Sequence, residues 1–122
     1  MEIVAPSRWA CVDFISDIHL QASARLPFQA WRDYLLHTTA DAVFILGDLF
    51  EVWVGDDILS TLNSFERQCA DVLRTASERV DLFILHGNRD FLMGPALMAA
   101  CGGTLLDEPC VLSFAKTRWL LV

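Results

Sequence analysis

Three short segments hold side chains that could act together on a phosphate: Asp17-Ile18-His19, Gly47-Asp48 and His86-Gly87-Asn88-Arg89-Asp90. Carboxylate, imidazole and carboxamide groups form a ligand set suited to Mn²⁺, Fe²⁺, Zn²⁺ or Mg²⁺. No cysteine belongs to the set, which disfavours a closed structural zinc site and favours an open, catalytic metal. Asp17 and His19 are two apart in what reads as an extended segment, so both are expected to point to one side and grip a single ion. Asp48 lies between the other segments in chain order and has two oxygens, so it is the expected bridge to a second ion held by Asn88. Two divalent ions about 3.5 to 4 Å apart clamp a phosphate and lower the pKa of a bound water. Arg89 would neutralise non-bridging oxygens through paired hydrogen bonds. The expected metal ligands are therefore Asp17, His19, Asp48 and Asn88. Asp48, Asn88 and Arg89 are the expected catalytic groups, with Asn88 and Arg89 touching substrate.

Each residue taken alone has a plainer reading, because an aspartate just after a strand often forms a turn or caps a helix. The conjunction is what favours chemistry: Asp-x-His, Gly-Asp and Gly-Asn recur at three successive strand ends, which turn formation alone would seldom produce. Asp90 is expected to be a helix cap rather than a catalyst. His86 is expected to make a structural hydrogen bond, and His37 to complete the end of a helix at the surface.

Three apolar runs must position these groups. Val12 to Ile15, Ala42 to Leu46 and Leu82 to Leu85 read as strands buried on both faces. Phe28, Trp31 and Leu35 repeat at helical spacing, with Pro27 suited to a first turn. A longer helix carries Leu59, Leu62, Phe65, Cys69, Val72, Leu73 and Ala76 on one face, and a third is expected from about Phe91 to Cys101, capped by Asp90 and ended by Gly102-Gly103. Strand and helix alternate, which predicts an α/β fold of βαβαβ units with a largely parallel sheet. Ligands of such sheets bind beyond the carboxyl ends of the strands, where all three segments lie. Thr104 to Leu106, Pro109 to Phe114 and Arg118 to Val122 read as short strands, the last two joined as a hairpin through Ala115-Lys116-Thr117.

The totals narrow the function classes. The 122 residues, 54% of them apolar and 20% charged, suffice for one domain, with no internal boundary in sight. Mean hydropathy is +0.40, yet no apolar run approaches the roughly 20 residues of a membrane-spanning helix. A net charge of −7 opposes non-specific nucleic-acid binding, since phosphate backbones reward clustered Lys and Arg. Cys11, Cys69, Cys101 and Cys110 are far apart and read as reduced core thiols. The N-terminus has no basic stretch followed by an apolar one, so a cytoplasmic protein is expected. Trp119-Leu120-Leu121-Val122 breaks off inside an apolar strand, so the domain is expected to be incomplete.

Asp17-Ile18-His19, Gly47-Asp48-Leu49 and Gly87-Asn88-Arg89-Asp90 resemble the opening signatures of the calcineurin-like metallophosphoesterases. Within that superfamily, Arg89 in place of the commoner histidine and the run from Ile45 to Asp57, with Glu51, Trp53, Gly55, Asp56 and Asp57, are similar to the UDP-2,3-diacylglucosamine pyrophosphohydrolases. The resemblance runs from about Asp13 to the chain end. It implies an N-terminal portion of the metallophosphoesterase sandwich and two metal ions, usually Mn²⁺. It further implies hydrolysis of a UDP-linked diacylated glucosamine to UMP and the acylated sugar 1-phosphate for lipid A synthesis, peripherally at the cytoplasmic face of the inner membrane. Members of that family continue into a His-Gly-Asp segment, a His-x-His pair and a helical insertion that shelters the acyl chains. Without them the first ion keeps Asp17, His19 and Asp48 and the second only Asp48 and Asn88, so an inactive fragment is expected. Two other readings fit the residues: a metallophosphoesterase for another nucleotide or phosphodiester, and a non-catalytic metal-binding or interaction remnant.

Overall fold

The computed structural model describes every residue except Val54, Asn88, Arg89 and Phe91. Among the described residues the chain forms two sheets. Strands β2 (Val12–Ile15), β3 (Ala42–Leu46), β4 (Asp81–Leu85) and β5 (Thr104–Leu105) make the larger one, in the order β2-β3-β4-β5 and parallel throughout. The smaller contains β1 (Glu2–Val4), β6 (Cys110–Phe114) and β7 (Thr117–Leu121), in the order β1-β6-β7, with β6 and β7 as the expected hairpin. Helices α1 (Arg25–His37), α2 (Phe65–Ser77) and α3 (Pro95–Cys101) connect the parallel strands.

The central strand β3 explains the layering. Ala42, Val43, Phe44 and Ile45 are all fully buried, alternating between two faces. Val43 and Ile45 join Leu82, Ile84 and the helices' apolar stripes, Phe28, Trp31 and Leu35 of α1 and Cys69, Leu73 and Ala76 of α2. Ala42 and Phe44 instead meet Trp9, Leu112 and Leu121 beneath the second sheet. Phe44 stacks on Phe83 at 4.6 Å between ring centroids, and the edge of Trp9 abuts both rings. Each buried valine, leucine, isoleucine or phenylalanine among these contributes roughly 1.5–3 kcal/mol by leaving water.

Several expectations are corrected. β2 is an edge strand, not one buried on both faces, and Phe14 is 40% exposed. The long helix begins at Phe65 with Ser64 as its cap, accepting from the Arg67 amide at 3.1 Å, while Leu59 belongs to a separate 3-10 turn, Asp56–Ser60. The third helix starts at Pro95, and Phe91, its expected start, lies outside the described residues. Gly102 ends it in the left-handed conformation, as expected. Cys11 is exposed, whereas Cys69, Cys101 and Cys110 are buried thiols. Burial pushes the thiol of Cys69 well above the usual range and raises that of Cys101. No helix among the described residues is long and apolar enough to cross a membrane.

Candidate metal centre

Pairing between β2 and β3 does not stop where the strands do. Beyond Ile15 and Leu46 the two loops stay side by side: the Asp17 amide donates to the Gly47 carbonyl at 3.1 Å and the His19 amide to that of Asp48 at 3.0 Å. The Leu20 amide then donates to Leu49 at 2.8 Å, and that of Glu51 back to Leu20 at 3.0 Å. This clasp holds three residues in the left-handed region, Asp17 at φ 56°, His19 at φ 53° and Asp48 at φ 50°. Such a conformation costs a residue with a Cβ on the order of 1–3 kcal/mol and persists only where its surroundings enforce it. Asp17 and His19 therefore share a side through a pair of left-handed turns, not through the extended backbone expected from their spacing.

The outcome is a tight group. One ligand atom from each of Asp17, His19 and Asp48 lies within 4.8 Å of the others, with His19 Nε2 3.7 Å from Asp17 Oδ1. Ligand bonds of about 2.0–2.2 Å put two donors of one ion at most about 4.4 Å apart, so these side chains need shift only by tenths of an ångström to share an ion. Oxygen and nitrogen donors in this proportion fit a divalent cation of the kind expected. Asn88 and Arg89, the other candidates, lie outside the described residues.

Neighbouring backbone closes around Asp48. Gly87 is packed so closely that a Cβ there would sit 2.7 Å from the Asp48 amide nitrogen and 2.8 Å from its Cγ, and closer still to Oδ1. Only glycine fits that approach. A hollow of about 180 Å³ opens beside Asp48, lined also by His86, Gly87 and Glu108. A second, apolar hollow of about 390 Å³ runs from Asp17 along Ile15, Ile18, Trp31 and Tyr34. Tyr34 donates to Asp13, and partial burial together with that bond raises its pKa to about 12.

Asp90 is not the cap of α3, whose N-cap position is Gly94. Asp90 is fully buried and accepts from the Gly87 amide at 2.7 Å and the Phe50 amide at 3.1 Å, tying the loop after β4 to the loop after β3. Asp56, on the 3-10 turn, meets the amides at the start of α3 instead, accepting from Gly94 at 3.1 Å and Leu97 at 2.9 Å. It also takes the Trp53 indole N–H at 2.9 Å. His37 is exposed at the end of α1, its Nδ1 2.9 Å from the Asp33 carbonyl oxygen, as expected of a terminal residue. Sequence reasoning gave no role to Glu51, whose carboxylate reaches within 3.2 Å of His19 Nδ1. Its signal was a lone charge within the apolar run Leu49 to Trp53.

No family model matches the chain. Individual relatives do. A UDP-2,3-diacylglucosamine hydrolase of Shewanella pealeana is 49% identical over 98 residues, which cover 78% of this chain and 40% of that protein. Hydrolases of the same name from Chromohalobacter salexigens and Pseudomonas fluorescens are 42% and 44% identical over 111 residues, covering 88% of this chain and 44% and 43% of those proteins. The chain thus spans less than half the length of these curated relatives. Over the matched residues it belongs to the family of the UDP-2,3-diacylglucosamine hydrolases and corresponds to the N-terminal portion of its members.

Proposed function

We propose that this chain provides the first half of the metal centre of an enzyme that hydrolyses the pyrophosphate bond of UDP-2,3-diacylglucosamine, giving UMP and 2,3-diacylglucosamine 1-phosphate for lipid A biosynthesis. The observation that carries this reading is the convergence of Asp17, His19 and Asp48 at the carboxyl edge of a parallel sheet, in a chain whose relatives bear that hydrolase name. Asp17, His19 and Asp48 would hold one divalent ion, and Asp48 together with Asn88 would hold a second. Divalent ions such as Mn²⁺, when bound there, would supply Lewis acidity toward the phosphate and toward the attacking water. Arg89 orients a phosphate through the fork of its guanidinium, and Asn88 offers its carboxamide to the same group. Octahedral ions want about six donors, so further ligands come from outside these residues, from water or from substrate. A diacylated substrate resides in a membrane, and the enzyme works peripherally at the cytoplasmic face of the inner membrane.

The test is calorimetric titration of the 122-residue chain with Mn²⁺, with Asp48→Ala as control. It is paired with a UMP-release assay on the chain joined to the C-terminal remainder of the Shewanella pealeana hydrolase. Saturable binding lost in Asp48→Ala, with UMP released from the diacylated nucleotide sugar, is the expected outcome. Binding indifferent to Asp48→Ala would overturn the metal centre, and a preference for simple phosphodiesters would overturn the lipid substrate.

A further inference from the structure

His19 has two ring nitrogens with opposite surroundings. Nε2 faces Asp17, 3.7 Å from its Oδ1, on the side where the candidate ligands meet. Nδ1 is shut away from solvent and, among the described residues, has no hydrogen bond of good geometry. The Glu51 carboxylate lies beside it, with Oε2 3.2 Å away, but the contact lacks hydrogen-bond alignment. The distance is that of a hydrogen bond and the alignment is not, so a small rotation of the carboxylate separates the pair from a formed bond.

The clasp between the two loops puts Glu51 there. Leu20 donates to Leu49, Glu51 donates to Leu20, and Leu20 bridges to Phe50, so the residue after His19 is locked beside the residue before Glu51. Both side chains are about one-third exposed, 33% for His19 and 35% for Glu51, so the pair is only partly screened by water. An imidazole that binds an ion through Nε2 must carry its proton on Nδ1, and a buried N–H requires an acceptor.

We infer that Glu51 is a positioning residue for His19: it accepts the Nδ1 proton, fixes the tautomer that leaves the Nε2 lone pair free, and aims that lone pair at the ion shared with Asp17 and Asp48. This rests on the metal-centre reading, but it makes a claim about the imidazole that holds without any ion. The chain has only three histidines, His19, His37 and His86, so long-range ¹⁵N–¹H spectra of the metal-free protein can assign the tautomer of each. The parent chain is expected to show His19 as the Nδ1–H form. Glu51→Ala should shift it toward Nε2–H, and Glu51→Gln, whose amide oxygen still accepts, should largely restore Nδ1–H. Mn²⁺ affinity should fall roughly 10–100-fold in Glu51→Ala and recover in Glu51→Gln.

An unchanged His19 tautomer in a folded Glu51→Ala chain would overturn the assignment, as would a Glu51→Gln chain no better than Glu51→Ala in both measurements. If Mn²⁺ binding proved insensitive to Asp48→Ala while the tautomer followed Glu51, the metal reading would fail and the Glu51–His19 contact would stand.

Discussion

The parallel sheet uses aspartates at both of its ends, in opposite ways. At the amino ends of β3 and β4, Asp41 and Asp81 serve as fasteners. Asp41 accepts from the amides of Ala10 and Cys11 at 2.7 and 2.9 Å, and those bonds, with Cys11 the stronger influence, lower its pKa. Asp81 takes the indole N–H of the buried Trp9 at 2.8 Å and an Arg8 guanidinium N–H at 2.6 Å. Neither residue is in the left-handed region. At the carboxyl ends, Asp17 and Asp48 are held in that region, and their oxygens gather with His19. A carboxylate that satisfies backbone and indole donors stabilises the fold, whereas one held in a costly conformation beside other ligands draws on that stability. The difference separates acids that fasten the fold from acids that gather as candidate ligands in the same sheet.

The contrast can be broken most forcefully at Gly87. Gly87→Ala would drive a methyl group into Asp48, so Mn²⁺ affinity should fall at least about 10-fold while the amino-end fasteners stay intact. Titration calorimetry of the variant checks this, and undiminished binding would mean that Asp48 is not held where its contacts with Gly87 require. Asp81→Ala attacks the other end. It leaves the Trp9 indole without an acceptor in a site only 6% exposed, which should lower unfolding stability by about 1–3 kcal/mol in urea titration and leave Mn²⁺ binding unaltered. The smallest change sharpens the comparison. Asp17→Gly removes a candidate ligand from a left-handed position whose side chain is 68% exposed. Thermal stability should rise by about 1 kcal/mol as Mn²⁺ affinity falls. A loss of stability would show Asp17 to be a fastener after all.

What could be read from the sequence divides along the range of the interactions involved. β3 and β4 are legible because a run such as Ala42 to Leu46 is apolar on both faces, and the grouping of Asp17, His19 and Asp48 is legible because each sits just past such a run. α1 followed from the spacing of Phe28, Trp31 and Leu35. β1 escaped notice because Glu2–Val4 alternates weakly and exists only through parallel pairing with β6, near the other end of the chain. Asp90 looked like a local cap, but its acceptors are filled by Phe50 and Gly87, and the real donor-satisfying acid for α3, Asp56, arrives from a distant turn. From spacing alone Asp17 and His19 read as extended, because nothing local to that tripeptide imposes positive φ. The neighbouring loop does. Glu51 was missed for the same reason, since its meeting with His19 depends on the register of two loops.

That register also governs when the candidate centre comes into being. The four hydrogen bonds donated by the amides of Asp17, His19, Leu20 and Glu51 to the opposite loop prolong the pairing of β2 with β3. The zippering event that joins the strands therefore assembles the three side chains too, and they scatter only when the strands part. Those amides should exchange with solvent at rates set by sub-global opening rather than by loop fraying. An arriving cation would meet donors already gathered, so little of its binding free energy would go into ordering the chain.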